Sequence, residues 1–106
     1  MTVEQNYFTE KIAVITGGSR GLGKALAKAL VQSGCKVVIG DILDYEGEET
    51  VKELNHVSAN SAVYLHTNVT VYKDVIALFK FAESEFGGVD VSLSMCYSFH
   101  VNSRVS

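Results

Sequence analysis

Two periods alternate along the chain. Ile12-Ala13-Val14-Ile15-Thr16 is a short apolar run with glycines behind it, the pattern of a buried strand. From Gly21 onward Leu22, Ala25, Leu26, Ala29 and Leu30 recur at helical spacing, with Lys24, Lys28 and Gln32 on the other side, and Gly34 stops the helix. Lys36-Val37-Val38-Ile39-Gly40-Asp41 predicts a second strand rich in β-branched residues. A weaker helix follows over Tyr45 to Asn55, with Val51 and Leu54 inward. Its charged residues Glu46, Glu48, Glu49, Lys52 and Glu53 read as a solvated face without chemistry. Ala62 to Asn68 is the third strand. Thr70 is placed to cap a third helix whose face is Val71, Val75, Leu78, Phe79, Ala82 and Phe86. Gly87-Gly88 ends it, and Val89-Asp90-Val91 opens a fourth strand.

Strands alternating with helices imply parallel strands joined by right-handed crossovers, so the fold class is α/β. The 106 residues hold one domain at most. Apolar residues are 47% and charged ones 20%, ordinary for a globular chain, and the net charge of −3 argues against nucleic acid as a partner. No apolar run reaches the ~20 residues of a membrane span, and the first residues carry no basic-then-apolar leader. A cytoplasmic location with reduced Cys35 and Cys96 is the expectation. No cysteine pair has zinc or disulfide spacing, and His56, His66 and His100 have no ligand spacing, so no metal is expected.

The chemistry concentrates in Thr16-Gly17-Gly18-Ser19-Arg20-Gly21-Leu22-Gly23, between the first strand and the first helix. A turn there that meets a diphosphate must be free of obstructing side chains. Gly17 suits the tight turn, Gly21 lets phosphates approach, and Gly23 lets the helix pack against the strand. The helix start then offers N–H groups and partial positive charge, and Ser19 adds a hydroxyl. Glycine spacing alone can be purely steric. Two acceptors on the same rim strengthen the nucleotide reading: Asp41 ends the second strand, where an acid bonds ribose hydroxyls, and Asn68 ends the third.

From Ile12 to Asp90 the chain resembles the short-chain dehydrogenases/reductases, whose glycine motif reads Thr-Gly-x-x-x-Gly-x-Gly, as it does here from Thr16. The resemblance implies a partial Rossmann fold: a doubly wound, three-layer sandwich with strand order 3-2-1-4 and the later strands missing. It assigns the pyrophosphate to Gly17, Ser19, Gly21, Leu22 and Gly23, and places Asn68-Val69, where the family often has an acid and Val, beside the adenine. With Arg20, Asp41 and the adjoining Ile42, these residues make up the expected cofactor-binding set. Asp41 disfavours the extra phosphate of NADP and favours NAD. Arg20 argues the other way if it pairs with that phosphate, and is otherwise a solvated loop residue.

After Asp90 the resemblance stops. The family continues with an Asn-Asn-Ala-Gly-like segment, then a Ser and a Tyr-x-x-x-Lys pair that perform hydride-transfer chemistry on an alcohol or carbonyl. This chain reads Val91-Ser92-Leu93-Ser94-Met95-Cys96-Tyr97-Ser98-Phe99-His100 instead. Tyr7 and Lys11 have the four-residue spacing but precede the first strand, and Tyr97 has Val101 four places on. No catalytic residue is therefore assigned. The expected organisation is a dinucleotide-binding portion over 1–91 and a divergent tail over 92–106. The alternating tail fits an edge strand, and an open edge invites self-association or pairing with a full-length sibling. A common splice-donor hexamer read in frame encodes Val-Ser, so read-through at Val91-Ser92 is one origin of such a tail; a frameshift or alternative exon is another. The rival readings are a non-catalytic nucleotide-binding or interaction module and an inert truncated product.

Overall fold

The computed structural model describes residues 10–94. Four strands and three helices alternate: β1 (Ile12–Thr16), α1 (Gly21–Gln32), β2 (Lys36–Asp41), α2 (Asp44–Val57), β3 (Ala62–His66), α3 (Tyr72–Phe86) and β4 (Val91–Ser94). All strand pairs are parallel, in the order β3-β2-β1-β4. The α/β class with parallel strands is the one expected from the alternation, and the order is the doubly wound 3-2-1-4 that the family resemblance implies. Tyr7, Cys96, Tyr97 and His100, like the rest of the expected tail beyond Ser94, lie outside the described residues.

The two central strands carry the core. Ala13, Val14 and Ile15 of β1 and Val37, Val38 and Ile39 of β2 are all buried, because both sheet faces are covered. Ala13, Ile15, Val37 and Ile39 pack with Ala27, Val31 and Leu54 from α1 and α2. Val14 and Val38 point the other way, onto Leu78 and Ala82 of α3. The first two helices thus cover one face and the third covers the other, completing three layers. Each fully buried Val, Ile or Leu here contributes about 1.5–3 kcal/mol of transfer free energy.

Some local expectations are corrected. The buried stripe of α1 is Gly23, Ala27 and Val31, while Leu22 is 74% exposed and Ala25 and Ala29 also face outward. Apolar residues occur almost all round this helix, so periodicity could not choose its face. The contact of Gly23 with the preceding turn does so: a Cβ there would lie 2.2 Å from the Gly17 carbonyl oxygen. Ala27 and Val31 then follow at four-residue steps. Thr70 does not cap α3. The N-cap is Val71, and the Thr70 hydroxyl instead donates to Asn68 Oδ1 (2.6 Å). Val71 is accordingly exposed rather than part of the inward face. β3 ends at His66, two residues before Asn68, and β4 starts at Val91.

Register brings the strand ends level. Thr16 sits opposite Gly40 and Asp41 opposite His66, so the turns after β1, β2 and β3 open on one rim. At the other end, Asp90 exchanges bonds with Ile12: its N–H donates to the Ile12 carbonyl, and its carboxylate accepts the Ile12 N–H, both at 2.8 Å. That pair sets β4 beside β1.

Candidate functional site

The rim holds a cavity of about 750 Å³ lined by the β1–α1 turn, the end of β2 and the segment after β3, within the usual range for small-molecule sites. Gly17 has φ 76° and Gly21 φ 63°, left-handed values that reverse the chain after β1 and again at the helix start. The Gly17 N–H donates to the Gly40 carbonyl at 2.9 Å, tying the turn to β2. Around the position of a Gly21 Cβ nothing lies within 4 Å. The N-cap Arg20 supplies no side-chain bond, and no acid stands in the first turn of α1. Among the described residues, the first N–H groups of that helix therefore meet no acceptor, and they border the opening at the positive end of the dipole.

Asp41 closes the cavity on the β2 side. Its Oδ1 accepts the N–H of Ile42 at 2.7 Å and of Leu43 at 3.4 Å, and its Oδ2 accepts that of Ser19 at 3.3 Å. The carboxylate thus fastens its own turn to the glycine turn, with lone pairs left for further donors. Its backbone carbonyl accepts the Thr67 N–H at 2.9 Å and the Tyr64 hydroxyl at 2.7 Å. Tyr64 Oη also lies 2.6 Å from Asp44 Oδ1, which His66 Nδ1 approaches at 2.7 Å. A phenol has one proton, so two oxygens share it. Burial, then the Asp44 carboxylate, hold the Tyr64 phenol well above its ordinary range. The bond from Tyr64, then the one from His66, hold the Asp44 carboxyl below its own.

Of the ten residues expected from the sequence, Gly17, Arg20, Gly21, Leu22, Gly23, Asp41, Ile42, Asn68 and Val69 line this one cavity. Ser19 does not. It is 2% exposed, and its hydroxyl is buried without a hydrogen-bond partner among the described residues. Asn68 spends its side-chain carbonyl on Thr70, accepting its N–H at 3.0 Å and its hydroxyl at 2.6 Å. Sequence reasoning missed Thr50, Tyr64, Asp44 and Thr67, none of which belongs to a recognisable motif. An isolated glycine in α2 was the available signal: at Gly47 a Cβ would stand 2.1 Å from the Tyr64 ring. That glycine lets the ring lie beneath the helix and reach the rim.

The residues present fit a nucleotide diphosphate. Open space above Gly21, first-turn N–H groups without partners and a neighbouring carboxylate are what a pyrophosphate joined to a ribose requires. Gly17, Gly21, Leu22 and Gly23 would hold the phosphates, and Asp41 the ribose.

Comparison with known proteins points the same way. The sequence model of the short chain dehydrogenase family matches residues 11–94. A 3-alpha-(or 20-beta)-hydroxysteroid dehydrogenase of Mycobacterium tuberculosis is 42% identical over 81 residues, covering 76% of this chain and 30% of that protein. The cis-4-hydroxycyclohexanecarboxylate dehydrogenase of Sinomonas cyclohexanicum is 39% identical over 84 residues, covering 79% and 33%. Among solved structures, a short chain dehydrogenase/reductase of Burkholderia phymatum in complex with NAD superposes with a TM-score of 0.77 at 33% identity, over 80% of this chain and 30% of that one. The 3-ketoacyl-(acyl-carrier-protein) reductase of Brucella melitensis, complexed with NADH, gives 0.73 at 32% identity, over 80% and 34%. The chain spans about a third of the length of the relatives it matches. With glycine turn, sheet order and family match in agreement, this chain belongs to the short-chain dehydrogenases/reductases.

Proposed function

We propose that residues 11–94 form the part of a short-chain dehydrogenase/reductase that binds the adenosine diphosphate half of NAD. One observation carries the reading: unpartnered N–H groups at the start of α1, the open face of Gly21 and the Asp41 carboxylate border a single cavity. When bound, NAD supplies the hydride acceptor or donor; these residues of the chain would bind and orient it. Asp41 favours NAD, since a carboxylate accepts from a free 2′-hydroxyl and repels a 2′-phosphate. The exposed Arg20 on the same wall is the one group that opposes this preference.

These 106 residues contain no Ser and Tyr-x-x-x-Lys set downstream of the glycine turn, so the reading gives them cofactor binding and assigns them no catalytic residue. The free side of β4 is proposed to pair with a second copy or a full-length sibling. Among the described residues β4 pairs only with β1, and Val91 is 41% exposed.

Calorimetry with NAD and NADP tests the reading. Saturable binding of NAD, tighter than NADP, is the expected result, and Asp41→Ala should narrow that difference by about tenfold or more, the scale of one charged contact. A flat trace with both cofactors would leave the inert-product reading standing. Binding with no preference, unchanged by Asp41→Ala, would remove Asp41 from the ribose.

A further inference from the structure

Thr50 stands in the middle of α2, 1% exposed, and does not line the cavity. A threonine inside a helix commonly returns its hydroxyl to the carbonyl one turn back. Here the Oγ1 proton leaves the helix and is donated to the Ser19 carbonyl, 2.7 Å away in the glycine turn. On the other side of the same residue, the Ser19 N–H is donated to Asp41 Oδ2 at 3.3 Å. Ser19 is thereby held at both backbone ends, by α2 and by the carboxylate.

The held carbonyl decides where the next N–H points. Peptide bonds of the described residues are all trans, and in a trans peptide the carbonyl and the following N–H point in opposite directions. With the Ser19 carbonyl aimed at α2, the Arg20 N–H is aimed away from it. That N–H meets no hydrogen-bond acceptor among the described residues. It adjoins the N–H groups of Gly21, Leu22 and Gly23, on residues that with Arg20 line the cavity. The unpaired Ser19 hydroxyl shows that this placement is not chosen to satisfy the serine itself.

We propose that Thr50 is a positioning residue for diphosphate binding, orienting the Ser19–Arg20 peptide so that the Arg20 N–H joins the donors at the start of α1. The proposal rests on the nucleotide reading above. Without the hydroxyl, the buried Ser19 carbonyl loses its partner and the peptide is free to rotate, withdrawing one donor from the anion.

The test uses the full chain and two probes, adenosine diphosphate and adenosine, which differ in the diphosphate alone. Thr50→Val should weaken adenosine diphosphate binding about tenfold, the ratio of one hydrogen bond to a charged group, while adenosine binding stays within about twofold. Thr50→Ser, which keeps the hydroxyl, should restore the wild-type value. Equal loss for both probes, no loss, or no rescue by serine would overturn the proposal. If Thr50→Val does not fold, amide NMR of the wild-type protein decides. The Arg20 N–H resonance should move on adding adenosine diphosphate and stay in place with adenosine; an Arg20 signal indifferent to the diphosphate would overturn the proposal. Wild-type protein that binds neither probe takes the nucleotide reading down with this one, whereas normal binding by Thr50→Val removes only the role of Thr50.

Discussion

At Gly23 one missing carbon decides how near a helix can come to a turn. Its Cβ would sit 2.2 Å from the Gly17 carbonyl oxygen and 3.0 Å from Gly18 Cα, both backbone atoms that cannot step aside. Gly23→Ala should therefore cost about 3 kcal/mol or more, read as a lower denaturant midpoint at unchanged slope. Gly21 is the contrast, with open space around it but φ at 63°. Gly21→Ala should cost only about 1–2 kcal/mol from the left-handed backbone, yet, on the proposed nucleotide reading, weaken NAD binding further than that, because the methyl would take the space proposed for phosphate. The spacing of these glycines was legible in the sequence. Their different partners were not, since a glycine motif states that room is needed without saying what fills it. Cys35 was read only as a reduced thiol; at 3% exposure, burial and then the nearby Asp90 carboxylate push its pKa up.

Among the elements, β3 and α2 are joined by a polar contact that no periodicity announces. Tyr64 and His66 lie on one face of β3 and meet Asp44 at the first residue of α2, with Gly47 clearing room for the ring. Two titrations bound its usefulness. Asp44 has a lowered folded pKa, so its contribution is complete above its ordinary value near about 4 and disappears as pH falls through the folded value. Tyr64 has a raised folded pKa, so its contribution is complete below its ordinary value near about 10 and disappears as pH rises beyond it. Wild-type protein should melt above Tyr64→Phe between about pH 5 and 9, and the two melting curves should converge toward either extreme. Equal melting at every pH would show that only ring packing, which phenylalanine keeps, and not the shared proton, matters. His66 and Asp44 are both more than half exposed, so their pair adds little by itself.

On the scale of the whole molecule the layers are unequally finished. β1 and β2 are covered on both faces, while in β4 only Leu93 packs against the core and Val91, Ser92 and Ser94 stay exposed. The outward face of α1, with Leu22 74% exposed, is likewise uncovered among the described residues. A parallel edge strand in this state presents unpaired backbone groups to any neighbour. Sedimentation should show association that grows with concentration, and Val91→Lys, which puts a charge on the edge, should shift it toward the monomer. A monodisperse wild-type monomer at about 100 µM would contradict edge pairing.

The order of strands and helices, the central strands, the glycine turn and Asp41 at the end of β2 were determined by the sequence alone, because they depend on local period and on residues that tolerate few conformations. Tertiary structure decided which face of α1 is buried, that Thr70 serves Asn68 instead of capping α3, and that Ser19 turns inward from the cavity. It also decided that Thr50 and Tyr64 reach the rim from elements without a motif. Those outcomes rest on contacts between residues far apart in the chain. Each is settled by competition for one hydrogen-bond partner or one gap in the packing, and a period along the chain contains neither.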